Sequence, residues 1–277
     1  MTWRTEICSF DLATETVTTI LRSDRLLEAP NWHPDGYLII NGDGLLYRLD
    51  LDGTQVQIDT GDLNQLNNDH GQSPDGRWIA ISDSSEDDVS AIYIIPAGGG
   101  TPRRVTPQVP SYWHGWTPNG ETLLYTAKRG DTFQIYTVPA QGGEERALTS
   151  GFLHCDGPDA TPNSAWIWFN GETAEGVNLW RIPIDGGKPE RMTDTDSVDW
   201  FPHPSPDGQH VLYLAYPPET YGHPRDRDVE LRLMPAKGGP ARKLLDLYGG
   251  QGTINVPCWR PDSGAFAFAR YGDQAAG

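Results

Sequence analysis

Apolar residues recur at every second position in "LLYRLDL" (45–51), "AIYIIPA" (91–97), "FQIYTVPA" (133–140), "NLWRIPI" (178–184) and "ELRLMPA" (230–236). That period of two is the mark of a half-buried β-strand. Each of these segments follows a second run rich in β-branched and aromatic residues, such as "YLII", "RWIAIS", "ETLLYTA", "AWIWF" or "QHVLYLAY". Asp52-Gly53 or a Gly-Gly pair (98–99, 142–143, 186–187, 238–239) then supplies the positive φ of a tight hairpin, and several units end on a short strand such as "RRVT", "RALT" or "ERMT".

Ahead of every unit stands a proline turn: "HPDG", "SPDG", "TPNG", "TPNS", "SPDG" and "RPDS". Their prolines, Pro34, Pro74, Pro118, Pro162, Pro206 and Pro261, are spaced 40, 44, 44, 44 and 55 residues apart. A period near 40–45 residues with four strands per unit predicts the blades of a β-propeller, as in WD40-like repeats. The final unit offers only "GAFAFARY" after its turn, while the N-terminal "TEICSFDLATETVTTIL" reads as two further strands. Both ends therefore complete one blade, closing the ring and removing its exposed edges.

The predicted fold is all-β: one six-bladed propeller over residues 1–277, with four antiparallel strands per blade. Its blades run approximately 29–61, 69–107, 112–149, 154–194, 199–246, and 253–271 completed by 3–22. The long last spacing predicts a loop insertion near 217–228.

The grammar "SPDG…IAIS…IYIIPAGGG…RRVT" resembles the TolB-type propeller repeat and spans essentially the whole chain. TolB itself is periplasmic and carries an additional N-terminal domain, so the resemblance here is to the stand-alone propeller. It implies a binding or interaction role. Similar propellers accompany prolyl-oligopeptidase-type hydrolases, but this chain shows no hydrolase domain and no G-x-S-x-G elbow.

Composition narrows the partners. With 31 Gly, 23 Pro and 10 Trp the chain suits short strands and tight turns. A net charge of −17 argues against nucleic acid and anionic membrane surfaces. Cys8, Cys155 and Cys258 are odd in number and lack C-x-x-C spacing, which favours a reducing compartment. The start "MTWRTEICSFDL" has no basic and apolar leader, and no apolar run is long enough to span a membrane. The expectation is a cytoplasmic monomer, periplasmic if a leader has been removed.

The candidate chemistry gathers ahead of the turns. Five of the seven histidines, His33, His70, His114, His154 and His203, fall in the eight-residue segments that lead into the six turns. In a propeller those segments line one mouth of the channel, where loops on a rigid scaffold carry function. The position six before each proline holds Glu28, Asn68, Tyr112, Asp156, Trp200 and Asn255, which sixfold geometry turns toward one axis. Asp69, Trp113, Asp159, His223 of the insertion and Gln251 complete the predicted ligand-binding set, with His70, His114 and His203. Trp32, Trp116 and Trp259, two before their prolines, read as packing between blades, and Asp75 and Asp207 as turn residues.

Two functions follow. One is a binding protein whose polar, His/Asp-rich funnel takes a protein partner or a small polar ligand. The other is an enzyme acting on a carbohydrate or similar molecule by lyase or hydrolase chemistry. There His70, His114 and Asp156 would be acid, base or ligands, and His70, His114 and His203 would hold a divalent metal ion. Oligogalacturonate lyases, propellers with a His-bound manganese, offer an analogy, although their local motifs are not matched here.

Overall fold

The computed structural model describes residues 4–272 and contains, among them, 23 β-strands and no α-helix. Two strands open the chain, β1 (Thr5–Asp11) and β2 (Thr16–Ser23). The first complete blade is β3 (Glu28–Trp32), β4 (Leu38–Gly42), β5 (Leu45–Leu49) and β6 (Gln55–Ile58). The second is β7 (Leu66–Gln72), β8 (Trp78–Asp83), β9 (Ala91–Pro96) and β10 (Arg103–Arg104). The third is β11 (Ser111–Trp116), β12 (Thr122–Lys128), β13 (Phe133–Pro139) and β14 (Arg146–Ala147). The fourth is β15 (His154–Ala160), β16 (Trp166–Thr173), β17 (Gly176–Pro183) and β18 (Glu190–Arg191). The fifth is β19 (Val198–Pro204), β20 (His210–Tyr216), β21 (Arg225–Pro235) and β22 (Arg242–Gly250), and β23 (Ala265–Tyr271) ends the description. The chain is thus an all-β, six-bladed propeller.

Within each complete blade the strands pair antiparallel in chain order, as hairpins joined by short turns must. The repeated proline turns explain their own sequence. Asp75 Oδ1 accepts from the Ser73 hydroxyl (2.6 Å) and the Arg77 amide (3.0 Å), and Asp207 does the same with Ser205 (2.5 Å) and Gln209 (3.0 Å). The tryptophans tie neighbouring blades. The Trp116 indole N–H donates to the Gly71 carbonyl (3.2 Å), and that of Trp259 to the His203 carbonyl (2.9 Å).

In the sixth blade β1 lies between β2 and β23, pairing Thr5 with Tyr271 through Asp11 with Ala265. Its Glu6 carboxylate, fully buried, is gripped by Arg22 and by Arg270 (2.6 Å). The innermost segment, 253–259, meets β23 through one bridge, Trp259 to Phe266, and the bonds of Ala267 and Ala269 to the carbonyls of Cys258 and Thr253. Trp3, at the start of the expected N-terminal stubs, lies outside the described residues.

The insertion differs from expectation. Only 217–224 is loop, because Arg225–Asp228 extend β21 and pair with Tyr248–Gly250 of β22. The surplus residues lengthen a hairpin and bring His223 and Arg225 to the channel mouth.

Candidate functional site

Each inner strand from β3 to β19 carries a register shift at the same place: Glu28/Asn31, Leu66/His70, Trp113/Gly115, Asp156/Asp159 and Trp200/His203. A bulge re-aims side chains out of the ladder. At the position five before the proline, Ala29, Gly157 and Phe201 accordingly adopt φ of 53°, 61° and 54°. Of the residues one position earlier, Glu28 and Asp156 are carried to the mouth.

There a cavity of about 730 Å³ opens. It takes in five of the six residues that stand six before a proline: Glu28, Asn68, Tyr112, Asp156 and Asn255. Asp69, His114, His223 and Gln251 join them. Trp200 does not line it; the ring is buried behind His223, with centroids 4.3 Å apart. Trp113 is buried against Gly71. Asp159 and His203 are paired to each other (3.0 Å) away from the cavity wall, with His203 also bonded to the Ile254 carbonyl (2.7 Å). His70 is fully buried, its Nε2 3.4 Å from the Ile39 carbonyl.

Asp156 is the hub of the site. His114 Nε2–H donates to Asp156 Oδ1 (2.9 Å) and Nδ1–H to the Asn255 carbonyl (3.2 Å), so both ring nitrogens are donors and the ring is an imidazolium. On the other carboxylate oxygen, His223 and His154 stand 3.6 and 3.9 Å away, beyond hydrogen-bond length. Asp69 Oδ1 approaches the same His114 Nε2 at 4.0 Å.

These contacts divide the charges. Burial works against a charged His114, yet the Asp156 and Asp69 carboxylates hold its pKa up at about 9. Burial likewise opposes ionised Asp156, and the His114 charge overrides it, keeping that carboxyl well below its ordinary range. Asp69 stands farther from the His114 charge, and burial lifts it to about 7 despite that charge and a hydrogen bond from the Asn255 side chain. Burial lowers His223, whereas the Asp156 carboxylate overcomes burial to raise His154. His70, desolvated among apolar neighbours, falls to about 4 and is neutral.

The cavity is two-sided. Tyr112, Phe133, His154 and His223 line one side, and Trp200 behind them completes an aromatic arc with successive centroids 6.2, 5.2, 5.8 and 4.3 Å apart. Glu28, Asn41, Asn68, Gln251 and Asn255 present amides and a carboxylate. Asn41, Thr126, Phe133, Arg4 and Arg225 were not among the sequence candidates. Asn41 and Thr126 sit on second strands, opposite Glu28 and Tyr112 in the ladders, so the sixfold rule applied to inner strands alone passes over them.

The metal-ligating trio expected from sequence is not brought together. His70, His114 and His203 each make separate bonds, to Ile39, to Asp156 and Asn255, and to Asp159 and Ile254. No group of three or more His, Cys, Asp or Glu among the described residues is arranged to hold a metal ion.

Gly157 fixes the hub. Its left-handed φ and the contacts a Cβ would make, 3.0 Å to Asn170 Oδ1 and to the Phe201 ring, would strain and crowd any side chain there. Gly157→Ala is expected to cost about 1–3 kcal/mol in thermal melts and to lower the His114 pKa, read by NMR, as Asp156 is displaced. Unchanged stability and titration would show that the bulge does not position Asp156.

Comparison with known proteins adds context. A family described as the TolB beta propeller domain matches residues 2–263. The chain is 46% identical over 271 residues, 97% of its own length and 92% of the relative's, to the uncharacterized protein Atu1656 of Agrobacterium fabrum. A solved structure of a candidate TolB from Agrobacterium tumefaciens superposes with a TM-score of 0.96 at 46% identity, over 98% of this chain and 99% of that one. The Tol-Pal system protein TolB of Bordetella pertussis is 27% identical over 248 residues, 87% of this chain and 53% of its own length.

Proposed function

The chain belongs to the TolB β-propeller family, and from that premise we propose that it is a binding protein whose cavity at the channel mouth is the recognition site. The observation that carries this reading is a concave, polar cavity floored by the Asp69–His114–Asp156 cluster. Small sets of convergent polar groups in a rigid cleft are how ligands are oriented. The partner is a protein segment or a small polar molecule, and the net charge of −17 disfavours nucleic acid and anionic membrane. Three free, buried cysteines suit a reducing compartment, and subcellular fractionation tests that placement against the periplasm.

Affinity capture with the untagged wild type coupled to a resin, compared with Tyr112→Ala and Asn255→Ala, tests the site. A partner retained by the wild type should be lost at least tenfold with either variant and kept by Arg77→Ala at a proline turn. Equal retention by all four proteins would move recognition elsewhere.

A second reading, catalysis on a carbohydrate, draws on the aromatic arc facing ionisable groups of split pKa, an arrangement suited to stacking a sugar and moving a proton. His114 and Asp69 would then be acid and base. Its metal-assisted form requires His70 and His203 to leave the bonds they make, so metal analysis of tag-free protein before and after His114→Ala, with turnover of a sugar panel, separates the two readings.

A further inference from the structure

Resting on the reading of the cavity as a recognition site, we propose that its floor is a subsite for a primary ammonium group, such as a lysine side chain or chain N-terminus, held between Asp69 and Asp156. Charge bookkeeping at the floor leads there. Two carboxylates face one imidazolium, and the His114 charge is committed to Asp156 at 2.9 Å, leaving Asp69, bonded by the neutral Asn255 side chain, at 4.0 Å without an ion-pair contact of hydrogen-bond length. Asp69 is nonetheless buried, at 7% exposure, in the cavity wall. The other cations are engaged elsewhere. Arg225 lies against Asp226 (3.1 Å) and Glu28 (3.9 Å), and Arg4 acts on Glu28. Asp43 of the cavity wall is paired with Arg25 at 2.7 Å.

An independent observation points to a donor-rich ligand. Asn41 Oδ1 and Thr126 Oγ1 are buried, line or adjoin the cavity through residues at 4% and 2% exposure, and have no hydrogen-bond partner. The Asn41 amide N–H is already spent on Asn68 Oδ1 (2.9 Å), so what remains is an acceptor. An ammonium carries three N–H donors and no acceptor, which matches two carboxylates and an amide oxygen. The faces of Tyr112 and Phe133 add cation–π attraction in a desolvated site.

The groups facing the floor also set the pH response. Tyr112 is held neutral by burial and by the two carboxylates, and burial keeps His223 neutral as well. His154, when protonated, competes for Asp156, and Asp69 gives up its proton only near neutrality. Ammonium binding should therefore tighten as pH rises from 6 to 8.5.

Titration of the full chain with n-butylammonium chloride, followed by NMR, tests the subsite. Saturable binding is expected at pH 8.5, at least fivefold weaker at pH 6. Asp69→Asn should weaken it at least tenfold and Asp69→Glu should restore part of the loss, with thermal melts confirming that both fold. Nα-acetyl-lysine methylamide against glycine methylamide then distinguishes a side-chain source from an N-terminal one. Equal binding of sodium butyrate, indifference to Asp69→Asn, or occupancy by manganese chloride but not by butylammonium would each overturn the proposal. Loss of ammonium binding while partner capture still depends on Tyr112 and Asn255 would sink this inference alone. Ammonium binding with capture indifferent to those residues would sink the recognition reading instead.

Discussion

A chain lacking residues 1–12 is expected to lose its cooperative thermal transition and to associate through its edges. β1 is the shared strand of the sixth blade, hydrogen-bonded to β2 on one side and β23 on the other over seven residues each. Ile7, Cys8 and Phe10 are at most 1% exposed, and Phe10 stacks on Phe266 at 5.2 Å. Burying large apolar side chains contributes about 1.5–3 kcal/mol each, and a domain's whole net stability is about 5–15 kcal/mol. Losing two of them, Ile7 and Phe10, with Cys8, the ladder and the Glu6 pairs, removes most of that margin. It also leaves β23 and β2 as open edges, ready to pair with other chains. Calorimetry and light scattering provide the measurement, and a synthetic peptide of residues 4–14 added in trans should restore part of the transition. A truncated protein that melts cooperatively within a few degrees of the full chain would show that closure is not what holds the ring.

The same turns that made the ring readable made half the site readable. Pro-Asp-Gly recurs because Asp75 and Asp207 bond their own loops, so the repeat is local chemistry and survives in one sequence without any partner. Sixfold repetition then converts an offset from a proline into a place in space, which is why Glu28, Asn68, Tyr112, Asp156 and Asn255 could be grouped across more than two hundred residues. What the offset does not carry is the bulge. With shifts at Leu66/His70, Asp156/Asp159 and Trp200/His203, His203 meets Asp159 and His70 faces Ile39 rather than the opening, whereas His114, four before its own proline, stays in the cavity. Trp200 departs for a different reason: His223, on the loop that leads into the lengthened β21, takes the surface in front of it. That displacement depends on how far an insertion folds as strand, and alternating "DRDVELRL" reads equally as loop charge or as strand.

Asp69→Asn should make the protein more stable at pH 8 and leave it nearly unchanged at pH 4. Burial holds the Asp69 carboxyl at about 7, against 3.8 when unperturbed, so between those values the folded chain keeps a proton that the unfolded chain has released. Proton uptake on folding means that stability falls as pH rises through that window and stays low above it. At about 1.4 kcal/mol per pH unit the full cost approaches about 4 kcal/mol. Part is offset, because Asp69 also supports the His114 charge. That imidazole, held at about 9 against 6.5, contributes stability present below pH 6.5 and lost as pH climbs through 9. With Asp156 at 2.9 Å still supplying most of that support, the variant's net gain at pH 8 should be about 1–2 kcal/mol. That is a rise of about 2–4 °C in Tm for a chain of this size. Melts of both proteins from pH 4 to pH 9 decide it. A variant less stable than the wild type at pH 8, or one equally stabilised at pH 4, would mean that Asp69 is not a desolvated carboxylate. A gain confined to high pH would mean that the fold tolerates an unfavourable buried charge at the one place where a cationic ligand would neutralise it.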